Sequence, residues 1–190
     1  MSNEFEALQK TGLPIDWATL FYGWMGFVAT EQLQDYALAQ IGYGPESEFA
    51  LVSTLAFADD RDFWTIQACL EQLASDTPEA ERRAARVWRW VTLLVLVERL
   101  EEELEVGIRA GSTAENGYWL DETLTNVWCG LHNFWRNHEF DAVRFPAVNN
   151  WGPSPIEAVT RLRLMLAEHR RFLEQEEAEL RQGMAVGKLL

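Results

Sequence analysis

Lysine is almost missing from this chain: Lys10 and Lys188 stand beside fourteen arginines in 190 residues. Arginine tolerates partial burial and pairs carboxylates through two parallel bonds, so a set this skewed predicts that part of it neutralises carboxylates within the fold. Cysteine is scarce as well. Cys69 and Cys129 form no C-x-x-C pair and read as reduced core thiols, which excludes a disulfide framework and points to a cytoplasmic location. The most apolar run, Val91 to Val97, stops at Glu98, far short of the about 20 residues a membrane span needs, so no membrane role is expected. Met1 to Lys10 is acidic, with neither the basic nor the apolar region of a secretory signal. Alternating strand patterns are absent too. So are G-x-S-x-G, Glu-x-x-His and any lysine-bearing glycine loop, which leaves no signature of nucleophilic, di-iron or phosphate-binding chemistry.

What is present is apolar and aromatic. Hydrophobic residues make up 48% of the chain, including nine Trp and ten Phe, too many for a disordered acidic protein. A chain of this length buries roughly 70% of the surface its unfolded form exposes, enough for a sizeable core. The expectation is an all-α, single-domain multi-helix bundle over residues 1–182, with a long buried central helix and a long C-terminal helix, followed by a flexible tail at 183–190.

Local signals place the helices. Gly12-Leu13-Pro14 breaks the chain before Asp16, which is placed to cap a helix through Val28; Thr30 caps a second, closed by Gly42-Tyr43-Gly44-Pro45. Ser47 or Glu48 opens a third to about Ala58, and Asp59 or Asp60 caps a fourth through Leu73, with Phe63, Ile66, Leu70 and Leu73 as its apolar stripe. Thr77 followed by Pro78 starts the central helix, to about Val106, whose stretch from Val87 to Leu100 reads as buried, Leu94 included. Leu120 to Phe134 reads as a weaker helix and Phe145 to Pro153 as an irregular loop. Ser154-Pro155-Ile156-Glu157 is a capping box that opens the last helix, with Leu162, Met165, Leu166, His169, Phe172 and Leu173 on its apolar face.

Candidate chemistry is thin. Cys129, His132, His138 and Glu139 bring thiol, imidazole and carboxylate within eleven residues, but a zinc site would want a second short-spaced ligand pair, and none exists. A metal-dependent enzyme using Cys129, His132 and His138 is therefore only an alternative; no metal, cofactor or catalytic residue is expected. Arg82, Arg83, Arg86 and Arg89 interleave with Trp88 and Trp90 as nucleic-acid grooves do, yet the net charge of −14 opposes phosphate and the neighbouring glutamates offer these arginines partners. Trp17, Phe21, Tyr22, Trp24 and Phe27 read either as core or as a contact surface, since one helix cannot hide a full circumference of aromatics.

The charge is uneven. Residues 1–60 carry nine carboxylates against Lys10 alone, a field that favours a basic protein partner. Asp35, Glu46, Glu48, Asp59 and Asp60 are the expected partner-binding residues. Gly12-Leu13-Pro14-Ile15-Asp16-Trp17, Phe21-Tyr22-Gly23-Trp24, Gly26-Phe27 and Asp35-Tyr36-Ala37, with a Trp-bearing helix around Trp88 to Leu94, resemble a family of small uncharacterised bacterial proteins that look like immunity proteins of polymorphic toxin systems. The resemblance implies an inhibitor without activity of its own, whose partner is a cognate toxin domain with a basic active-site surface. The rival is a structural or scaffold protein whose acidic face serves solubility.

Overall fold

The structure, a computed structural model, describes residues 4–24, 26–74, 77–111, 125–127, 129–134 and 155–187. Among them every regular element is helical, and the chain is all-α. Two compact units divide it, residues 1–91 and 92–190.

The first unit opens with α1 (Glu4–Thr11), which buries Phe5 and Leu8. Asp16 then starts α2 (Trp17–Trp24): its Oδ1 accepts from the Thr19 amide at 2.8 Å and the Thr19 hydroxyl at 2.7 Å, satisfying a donor the first helical turn leaves open. This helix stops at Trp24 rather than Val28. The amides of Gly26, Phe27 and Val28 all turn back onto the Gly23 carbonyl, which ends the regular ladder. Ala29, not Thr30, is the N-cap of α3 (Thr30–Gln40), and the Gln32 side chain reaches back to accept from its amide at 3.0 Å. Gly42 closes α3 at φ +89°, a conformation glycine adopts without steric cost.

A 3₁₀ turn (Glu46–Glu48) leads into α4 (Phe49–Ala56), and α5 (Phe63–Leu73) follows. Asp62 caps α5, in place of Asp59 or Asp60, because its Oδ1 accepts from the Thr65 amide at 3.1 Å. Asp59 is held one turn earlier by the Arg61 amide at 2.9 Å. The long helix α6 (Pro78–Gly111) begins where Thr77 accepts from Ala80 at 3.2 Å and runs past Val106.

Two features of the first unit explain its dense aromatic opening. Gly23 abuts the Trp88 indole so closely that an added Cβ would overlap the ring, while Trp88 Nε1–H donates to the Thr19 carbonyl at 2.7 Å. Phe27 stacks on the same indole at 5.0 Å and 10°. The buried face of α2 is made of Ala18, Thr19, Leu20 and Gly23, with no aromatic ring among them. The aromatics flank it: Trp17 meets Tyr36 edge-on at 5.5 Å, Trp24 stacks on Phe63 at 4.8 Å, and Tyr22 is exposed. Below them Asp16 also pairs with Arg83 of α6, and Tyr36 donates to the Ile15 carbonyl at 2.7 Å. Burial, then the Asp16 charge, push the Tyr36 hydroxyl above its ordinary pKa.

The second unit holds the later part of α6, helical residues at 125–127 and 129–134, and α7 (Pro155–Gly187), which continues past Gln182. Leu93, Val97, Leu100 and Leu104 recur at helical spacing and are buried, as are Leu131, Phe134, Leu162, Leu166, Leu173 and Leu180. Leu94 corrects the sequence reading. It is half-buried, one step round the helix from Leu93, because α6 buries a stripe and not its whole circumference. Residues 120–124, the loop at 145–153 and Ser154 lie outside the described residues.

Arginines of α7 neutralise carboxylates of α6. Arg170 grips Glu101 through Nε at 3.0 Å and Nη2 at 2.5 Å, with Glu98 at 3.8 Å, and Arg163 meets Glu105 at 2.7 Å. The order is antiparallel: the later α7 residue meets the earlier α6 residue. This is the internal compensation that the excess of arginine over lysine implies.

Candidate functional site

Four of the five expected partner-binding carboxylates lie beyond the two ends of α4. Glu46 and Glu48 occupy the 3₁₀ turn before it, and Asp59 and Asp60 follow its last turn. Eight helical residues at 1.5 Å each separate the ends by about 12 Å. Asp35 belongs with the second pair, because its neighbour Gln34 donates from Nε2 to the Ala58 carbonyl at 2.8 Å and so fixes this turn of α3 beside the loop after α4. Glu46 with Glu48 and Asp59 with Asp60 thus form two acidic groups at opposite ends of α4, and Asp35 stands on the turn of α3 that Gln34 ties to the second. All are exposed except the half-buried Glu48, and none pairs with a cation among the described residues.

Each acidic group has exposed apolar residues beside it in the chain. Tyr43 and Phe49, 86% and 54% exposed, bracket Glu46 and Glu48; Phe57 and Trp64, 75% and 76% exposed, bracket Asp59, Asp60 and Asp62. Phe63, assigned from sequence to the apolar stripe of α5, is 38% exposed and stands edge-on to Trp64 at 5.4 Å. Aromatic side chains this open, rimmed by charge, have the composition of a protein contact surface. The sequence carried a signal for Trp64, which lies two positions off the stripe Ile66, Leu70 and Leu73. No such signal marks the open cleft of 340 Å³ at the α3–α4 corner, walled by Ile41, Pro45, Phe49 and Val52 with Glu46 and Glu48. It arises only where the Gly42 turn folds α4 back along α3.

Asp62 has a structural task. Hydrogen bonds from the Thr65 hydroxyl and amide hold its carboxyl below the usual carboxylate range, as suits a helix cap. Burial, then the Asp62 charge, raise the Cys69 thiol above its ordinary pKa, which disfavours the reactive thiolate. Of the alternative metal set, Cys129 is half-buried and His132 exposed on the same helical stretch, while His138 and Glu139 lie outside the described residues. No group of three metal-ligating side chains occurs among the described residues. Nor is any described helix long and apolar enough to cross a membrane.

The chain is all-α, with a packed aromatic motif and exposed carboxylates at both ends of α4 in its first unit. Over residues 5–177 it matches the family described as uncharacterised protein conserved in bacteria (DUF2247), and it belongs to that family. No curated protein and no solved structure matches the chain.

Proposed function

We propose that the chain is an immunity-type inhibitor acting in the bacterial cytoplasm, which binds the basic active-site surface of a cognate toxin domain and occludes it without catalysis of its own. The observation that carries this reading is the surface of the first unit at the two ends of α4, where Asp35, Glu46, Glu48, Asp59 and Asp60 stand without cation partners among the described residues, with the exposed Tyr43, Phe49, Phe57 and Trp64 near them in the chain. Carboxylates so placed raise the rate of encounter with a basic surface and oppose acidic or phosphate-bearing partners, while aromatics supply the desolvated anchors that slow dissociation.

The proposal expects a gene beside this one to encode a protein that ends in a small basic C-terminal domain, and the test uses that domain. Association followed by stopped flow should slow markedly from tens of millimolar salt towards 0.5 M, where the Debye length falls to roughly 4 Å. Co-expression should restore growth of cells that produce the domain. A salt-insensitive on-rate, or growth arrest unrelieved by the chain, overturns the proposal.

A further inference from the structure

The cleft at the α3–α4 corner combines features that neither acidic group has alone. Its floor is apolar, with Val52 only 4% exposed, and its wall includes the half-exposed ring of Phe49. Two carboxylates sit at its edge. Gly44 lacks a side chain there, and Glu48 Oε2 lies 3.7 Å from the place a Cβ would take, so the carboxylate leans over the turn instead of out into solvent. Neither Glu46 nor Glu48 pairs with a cation among the described residues.

We infer that this cleft receives a single arginine side chain presented by the basic protein partner, a conclusion that rests on the reading of this face as an inhibitor surface. Its volume of 340 Å³ leaves room for one long side chain to enter. The apolar floor accepts the arginine stem. The guanidinium is flat and weakly hydrated, so it lies against the Phe49 ring while its N–H groups meet the two carboxylates. A lysine ammonium is compact and strongly hydrated, gains less from the ring and surrenders more water on entry.

The experiment titrates the full-length, ¹⁵N-labelled chain with three capped tripeptides, Gly-Arg-Gly, Gly-Lys-Gly and Gly-citrulline-Gly, and follows the amides of Gly42 and Gly44. The arginine peptide should give saturable shifts there, at least about fivefold tighter than lysine. Citrulline should give none. The double variant Glu46→Gln with Glu48→Gln should abolish the arginine response and keep the parent melting temperature. Equal responses to arginine and lysine, shifts centred on Asp59 and Asp60, or an unchanged response in the double variant overturn the assignment. A toxin domain that binds parent and double variant equally well also overturns it, while leaving the inhibitor reading intact. Arginine selectivity without any toxin partner does the reverse.

Discussion

The two units carry similar charge and use it differently. Residues 1–91 hold fourteen carboxylates and six cations, residues 92–190 sixteen and ten. In the second unit the antiparallel passage of α7 along α6 sets Arg163 and Arg170 against Glu98, Glu101 and Glu105. In the first, Asp16 pairs with Arg83, while the carboxylates at the two ends of α4 have no cation partner among the described residues. Net charge therefore says little about availability. A carboxylate held by arginine within the fold offers a partner much less than one facing water alone, so the first unit is where a basic protein would find its charge complement.

The largest expected effect tests whether the first unit has a core independent of that charge. Trp88→Ala removes the ring on which Gly23, Phe27 and the Thr19 carbonyl converge, and should cost about 3–5 kcal/mol in urea unfolding. A loss below about 1 kcal/mol would mean the aromatic opening does not anchor the unit. Leu93→Ala should cost about 2–5 kcal/mol and Leu94→Ala clearly less, since only Leu93 is fully buried; equal losses would refute the stripe on α6.

Smaller effects separate paired from unpaired charge. Arg170→Met should destabilise the protein by up to about 1 kcal/mol, because both partners are a third exposed and water screens the pair; the loss should shrink in high salt. His169 adds a pH signature to the same unit. It is buried, and desolvation, opposed by its bond to the Met165 carbonyl and by the Glu168 charge, leaves its pKa below the ordinary value. The unfolded chain then binds the proton more readily, so this contribution is present above the unfolded value of about 6.5 and is lost as pH falls from there through the folded value. Thermal melts of His169→Gln should show a flatter decline over that window than the parent; identical slopes would discard the assignment.

The smallest effect on stability belongs to the open carboxylates. Neutralising Glu46, Glu48 or Asp60 singly should change stability by no more than about 0.5 kcal/mol, while neutralising them together with Asp59 should slow association with a basic partner. A larger loss of stability would erase the distinction between the units.

Helix content and several caps were legible in the chain alone. Asp16 before Trp17 and Thr77 before Pro78 act on amides three residues ahead, so neighbouring residues suffice to specify them. Asp62 escaped because three acidic residues within four positions all fit the cap, and only the turn that ties Asp59 to Arg61 and Asp62 decides among them. The arginine excess foretold internal pairing but not its partners. Those depend on which residues an antiparallel neighbour, more than fifty positions away, brings within 4 Å. Gly23 against Trp88, Leu93 buried beside a half-buried Leu94, and a cleft where α4 folds back along α3 are likewise consequences of packing. Short-range hydrogen bonds are written in adjacent residues; burial and charge pairing are set by helix faces that meet only when the chain has folded.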